Sequence, residues 1–282
     1  MRKTLFFIIL VVAGMMIFSS VGCTDNKPSA TSADSTAVVQ GDSTAADTLD
    51  QILEATPMPK AADELFDDFF FNFAGNRKLQ KSRIDFPLPV ISRNDTAYVE
   101  QKRWKTEHFF MNQGYYTLIF DNMSQMDVVK DTTVSSVVVE RISLARKSVR
   151  QFVFNRVSGQ WRMNSVVVTG LEKNRNASFL KFYHRFVTDT LFQISSINDP
   201  LDFTGPNPDD DFSTMSGIIA PEQWLSFAPE LPGDNIYNIV YGNASKEGSQ
   251  KIFVIRGISN GLETELTFQK KRGVWKLIRL IM

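Results

Sequence analysis

Gln151–Val168 reads QFVFNRVSGQWRMNSVVV, and Glu265–Met282 reads ELTFQKKRGVWKLIRLIM. Both alternate apolar residues up to a Phe (Phe154, Phe268) and continue with a basic residue two places on (Arg156, Lys270). Both then place Gly and Trp at matched positions (Gly159 and Trp161, Gly273 and Trp275) and close on an apolar run. Alternation on either side of a Gly-bearing turn is the pattern of an antiparallel hairpin. The same hairpin is therefore expected twice, 114 residues apart.

The echo extends upstream. Phe66, Phe69, Phe70 and Phe73 recur at i, i+3, i+4 and i+7, which is one face of a helix. Adding 113 gives Phe179, Phe182, Tyr183 and Phe186, the same stripe. The register also carries Leu79 to Phe192, Ile84 to Ile197, and Pro87-Leu88 to Pro200-Leu201. This predicts a tandem duplication, with units over residues 63–169 and 176–282. Within the first, residues 84–90 are expected to be extended and fixed by two prolines. Residues 98–111 are expected to include a short helix or a strand edge. Strands are expected over 114–120, 134–144, 148–154 and 161–168, all rich in β-branched and aromatic residues. The second unit repeats the order, with an irregular stretch around Trp224 and strands over 236–241, 251–257, 262–269 and 274–281. Strand runs after a helix predict the α+β class, an antiparallel sheet covered on one face by helix.

The first sixty residues have a different character. Arg2 and Lys3 precede an apolar run from Leu5 to Phe18, followed by Ser19-Ser20-Val21-Gly22-Cys23. A charged start, a short apolar core and small residues predict an export signal peptide over residues 1–22. The run is shorter than the about 20 apolar residues of a membrane-spanning helix. Residues 24–62 contain no aromatic residue, are rich in Ser, Thr, Ala and Asp, and carry a net charge of −4. Such a stretch buries too little apolar surface to offset chain entropy, so residues 23–62 are expected to be a disordered tether. As a flexible coil its ends would lie about 35 Å apart.

The whole chain is formally neutral, with 31 basic and 31 acidic residues. The part beyond the tether is therefore close to neutral, which excludes a strongly basic nucleic-acid surface. Lys270-Lys271-Arg272 is only a turn-sized cluster. Cys23 is the only cysteine, so no intrachain disulfide can form and no thiolate metal site is available. The sequence has no HExxH, P-loop or dinucleotide fingerprint, and no cofactor or metal is expected. Asp209-Asp210-Asp211 lacks the ligand spacing of a calcium loop and reads as a solvated acidic loop.

Catalysis would need an acid or base and a stabiliser of developing charge within hydrogen-bond reach. The candidates are His184, Tyr183, Arg279 and the Asp199/Asp202 pair in the second unit, with Asp85 and His108 in the first. No spacing among them is diagnostic, and no catalytic residue is assigned. Arg279, His184 and Tyr183 are the candidate pocket residues. Arg279 alternates with Trp275, Leu277 and Ile281, where a buried guanidinium would need a partner or an anion. The reading taken is that the opposite face (Val274, Ile278, Leu280) is the core, which leaves Arg279 in solvent. His184 falls beside the stripe and reads as a partly exposed helix residue.

Three resemblances add to this reading. The small residues before Cys23 resemble the lipobox of bacterial lipoproteins, with Ser20 where the common pattern has Leu. That implies cleavage before Cys23, acylation of Cys23, and a membrane-anchored place in the cell envelope, expected to be the outer membrane. Asp34-Ser35-Thr36, Asp42-Ser43-Thr44 and Asp47-Thr48-Leu49 resemble O-glycosylation sites of Bacteroides-type exported proteins, which implies modification at Ser35, Ser43 and Thr48. Lastly, a long helix packed in a curved sheet within about 107 residues resembles the nuclear-transport-factor-2-like cone fold. With the lipobox, the tether and the F-P-L and G-x-W positions, the chain resembles a Bacteroides lipoprotein family of unknown function. The resemblance implies two tandem cone-like units, and cone-fold relatives include both enzymes and binding modules. The reading is a non-enzymatic module binding a small-molecule ligand or an envelope protein; the alternative is a hydrolase or isomerase with its site inside one cone.

Overall fold

The computed structural model describes residues 63–242 and 248–282. The signal segment, Cys23, the tether and its Ser35, Ser43 and Thr48 lie outside the described residues. Among the described residues, no helix is long and apolar enough to cross a membrane.

The first phenylalanine stripe lies on α1 (Phe66–Gly75), which buries Phe66, Phe69, Phe70 and Phe73. Asn76 ends the helix in an extended conformation and starts α2 (Arg77–Arg83), its side chain accepting a hydrogen bond from Leu79 N at 2.9 Å. The second stripe lies on α3 (Ala177–Thr188), burying Phe179, Phe182, Tyr183 and Phe186. Asp189 caps α4 (Thr190–Ser195) in the same way, accepting from Phe192 N at 2.9 Å. Asn76 and Asp189 are 113 residues apart, the offset of the stripes.

The strands are β1 (Leu88–Ile91), β2 (Thr96–Val99), β3 (Tyr115–Phe120), β4 (Ser136–Ser143), β5 (Ser148–Val157) and β6 (Gln160–Gly170), then β7 (Ile197–Asn207) and β8 (Asp210–Ile219). A short α5 (Trp224–Phe227) follows, and then β9 (Asn235–Tyr241), β10 (Gln250–Gly257), β11 (Glu263–Lys271) and β12 (Val274–Ile281). The quoted stretches form the β5–β6 and β11–β12 hairpins. Their turns hold two successive residues at positive φ, Ser158-Gly159 and Arg272-Gly273, as a twist-matched two-residue turn requires. The prolines hid two further hairpins. Residues 84–90 and the stretch from Ile197 contribute β1 and β7, each paired to its own successor. Pro89, Pro200 and Pro206 lack an N–H, so these stretches do not read as strands from sequence.

Both Gly-Trp hairpins carry a bulge. Phe154 pairs with Met163 but Val153 with Ser165, leaving Asn164 extra; Phe268 pairs with Leu277 but Thr267 with Arg279, leaving Ile278 extra. The extra residue reverses the alternation. Trp275 and Leu277 face the core, and beyond the bulge Leu280 does. Arg279 is exposed, next to Asp202 of β7 in the register. The bulge puts Arg279 in solvent while Trp275 and Leu277 stay in the core, so Val274, expected on the core face, is exposed instead.

The predicted division into two self-contained units also needs correction. All strands join one sheet in the order β2-β1-β6-β5-β4-β9-β3-β10-β11-β12-β7-β8. β9, from the second half, lies beside β4, and β3, from the first half, lies beside β10. The two exchanged strands meet in parallel at the centre, registered at Thr117 and Asn238. The sheet is accordingly mixed rather than purely antiparallel, with β1–β6 and β7–β12 also parallel.

Neighbouring residues on a strand point to opposite faces. Leu118 and Ile252 belong to a core with α1, whereas Ile119 and Phe253 belong to a core with α3. The central strands are thus buried on both faces, and α1 and α3 cover opposite sides of the sheet. Tyr237, Ile239, Ile252 and Val254 complete the first core; Ile119, Ile142, Leu144 and Val149 complete the second. Each core is built from both halves of the chain.

Candidate functional site

The space beneath each helix is filled by rings. Phe66 packs on Phe70, Phe154 and Trp161 at centroid distances of 5.2, 5.3 and 5.0 Å. Phe179 packs on Phe268 and Trp275 at 5.2 and 5.5 Å. Polar groups converge instead at the centre of the sheet, where the exchanged strands meet.

β3 and β9 are registered at one position, and a recess of about 280 Å³ lies beyond it at their C-terminal ends. Phe120, Gln125, Arg175, Val240 and Tyr241 line it. A crevice outside the carboxyl ends of adjacent parallel strands is a recurrent place for ligands. Beside it runs a chain of buried polar groups. The fully buried Lys251 ammonium donates to Asp121 and, at 2.6 Å, to Asn176 Oδ1. Arg175 pairs with the other Asp121 oxygen at 3.1 Å. Asn174 Oδ1 accepts from Asn176 N at 2.8 Å. On the same run, Glu140 accepts from Gln151, Asn174 and Asn238 at 2.9, 2.8 and 3.0 Å. Buried charges require such partners. Arg175 Nε is buried with no hydrogen-bond partner among the described residues, so a donor remains unused at the recess.

A second cluster ties α1 to the exchanged strands. Asp67 accepts hydrogen bonds from Tyr241 of β9 and, at 3.4 Å, from Tyr116 of β3. Arg256 of β10 donates to Tyr116 Oη at 3.4 Å and to Glu263 at 2.7 Å. Burial raises the Asp67 carboxyl above its ordinary value, although the bond from Tyr241 works against it. Burial and the neighbouring Asp67 push Tyr116 up to about 12 and Tyr241 well above the usual phenol range. Both phenols therefore stay protonated and act as donors to Asp67. The groups satisfy one another, which makes the cluster a strut between helix and sheet. Because its folded carboxyl value is raised, Asp67 contributes most below the ordinary 3.8 and loses that contribution as pH rises through the folded value. Asp67→Asn is expected to flatten this slope and to gain on wild type as pH rises. Urea unfolding across that range checks it; parallel pH profiles for the two proteins would contradict it.

The residues nominated from sequence do not assemble. Tyr183 is fully buried against Phe253 at 4.6 Å, and its hydroxyl has no partner among the described residues. Burial pushes that phenol far up, so it is a core residue. His184 is half-buried in a different recess, of about 420 Å³, with Leu144, Leu171 and Lys181. Arg279 is in solvent on β12. His108, Asp199 and Asp202 are exposed, and Asp85 pairs with Arg162 at 2.6 Å. Asp209 and Asp210 are exposed at the β7–β8 turn. Among the described residues no cluster of His, Cys, Asp or Glu could hold a metal. Sequence reasoning missed Asp121, Lys251 and Glu140, whose partners lie up to 130 residues away. It also passed over Arg141 and Arg150, although their places either side of a four-residue turn were readable.

The helices on a large mixed sheet place the protein in the α+β class, and the fold has a solved NTF2-like counterpart. The crystal structure of an NTF2-like protein from Bacteroides fragilis NCTC 9343, at 2.15 Å resolution, superposes with a TM-score of 0.73 and is 39% identical. The match covers 80% of this chain and 98% of that one. The chain belongs to the family described as "Domain of unknown function (DUF4348)", which matches residues 45–282. No curated protein matches it.

Proposed function

We propose that the protein is a lipid-anchored lipoprotein of the cell envelope, at the outer membrane, whose folded part binds a ligand or partner protein and catalyses no reaction. Its architecture, on this reading, is a pair of tandem cone-like units that have exchanged one strand each. The observation that carries the binding reading is the contrast between ring-filled cores and the recess at the ends of β3 and β9, where Gln125 and Arg175 stand among apolar side chains. A cone-fold enzyme needs room for substrate beneath the helix, where this protein has Phe66, Phe70, Phe154 and Trp161. The Arg175 donor and Gln125 supply fixed polar contacts to an occupant of the recess.

Filling the recess tests this. Val240→Trp is expected to abolish retention of the molecule that native mass spectrometry finds on protein isolated from its own envelope. Retention unchanged by Val240→Trp, or conversion of that molecule by the protein, would refute the proposal. The anchor is tested separately: Cys23→Ala is expected to lose acyl labelling and membrane association. Labelling that persists in that variant ends the lipid-anchor reading. An intact mass accounted for by acylation alone would likewise end the expectation of glycans at Ser35, Ser43 and Thr48.

A further inference from the structure

The β4–β5 hairpin carries three arginines on one recess of about 240 Å³: Arg141, Arg146 and Arg150. Ser143, Ser148 and Asn235 complete its polar lining. Arg141 and Arg150 are direct cross-strand partners. Like charges so placed destabilise a sheet. Among the described residues, none of the three guanidiniums has a hydrogen-bonded or ion-paired partner. Arg141 and Glu107 act in opposite directions on the Tyr237 hydroxyl, and no ion pair forms between them. Arg150 lies over the Phe152 ring at 5.4 Å, and its Nε is buried with no hydrogen-bond partner among the described residues. Elsewhere Arg83, Arg162, Arg175, Arg185 and Arg256 all face carboxylates. This recess gathers cations and leaves out the acid.

We infer that Arg141, Arg146 and Arg150 form a binding site for a phosphomonoester group. Guanidinium forks match phosphate oxygens two at a time, and a dianion neutralises more of the three charges than a carboxylate would. Ser143, Ser148 and Asn235 offer neutral donors for the remaining oxygens. The volume lies below that of drug-sized pockets, so the site holds the phosphate and part of the group it esterifies. The site is separate from the recess between β3 and β9, so each can fail independently.

The test is calorimetric titration of the full-length protein in detergent with inorganic phosphate and with glucose 6-phosphate. Vesicles of phosphatidic acid, with phosphatidylcholine vesicles as control, distinguish a lipid headgroup from a soluble ester. Binding of glucose 6-phosphate is expected to weaken at least tenfold in Arg150→Met, which keeps the stem over Phe152, and in the exposed Arg141→Met. Lys271→Met, in the basic turn of the other hairpin, should bind as wild type. Arg141→Met is also expected to raise the melting temperature of the unliganded protein by relieving repulsion, which shows that it folds. Binding to phosphatidic acid vesicles in addition would make the headgroup one source of the ester. Wild-type affinity in both arginine variants, binding to vesicles without either soluble phosphate, or an equal loss in Lys271→Met would overturn the site.

Discussion

Neither half of the chain, residues 63–175 or 176–282, is expected to fold by itself. The first half would lose Tyr237, Ile239, Ile252 and Val254 from its core, because those side chains arrive on β9 and β10. Burying each is worth about 1.5–3 kcal/mol, so roughly 6–12 kcal/mol disappears. Whole domains have only about 5–15 kcal/mol of net stability. The exposed edge of β4 would add an unpaired row of backbone groups. The second half loses Ile119, Ile142, Leu144 and Val149 in the same way. Mixed together, the fragments should reassociate and recover a single cooperative melt. A monomeric, cooperatively melting fragment of residues 63–175 would contradict this, and would mean that β3 can fold back onto β4.

Asp121→Ala is expected to cost about 3–5 kcal/mol, because it strands a buried cation. Lys251 is wholly inside, and its ammonium is held by Asp121 and Asn176. Removing the carboxylate takes the Asp121 ion pair from that buried charge and also frees Arg175. The double variant Asp121→Leu/Lys251→Met should recover most of the loss, since an apolar pair of similar volume replaces the ion pair. Arg162→Met, breaking the half-exposed pair with Asp85, should cost under about 1 kcal/mol. Urea midpoints for the four proteins decide it. An Asp121→Ala cost no larger than that of Arg162→Met would show that Lys251 finds water.

The stripes on α1 and α3 and the Gly-Trp hairpins were legible because their signals are local. A helix face repeats within eight residues, and a two-residue turn needs its glycine in place. The exchange of β3 and β9 was not legible, for a physical reason. Leu118 and Ile119, or Ile252 and Phe253, are apolar on consecutive positions because the central strands are buried on both faces. Such a strand carries no preference for one neighbour over another in its alternation. The bulges at Asn164 and Ile278 were hidden as well, and one extra residue decided which way Arg279 points. Of the polar junction, Lys251 and Asp121 looked like ordinary charges flanking strands. Only the pairing of β10 with β3 makes them partners.

The exchange also sets an order in time. Phe120 pairs with Ile252, made 132 residues later, and at about 5–20 residues per second that is a delay of roughly 7–26 s. Until then the first core cannot close, however well its helix and hairpin have formed. For a chain expected to cross a membrane before it folds, that delay is useful. In the proposed export, a topology that postpones closure until β10 is made would leave the polypeptide threadable for that interval.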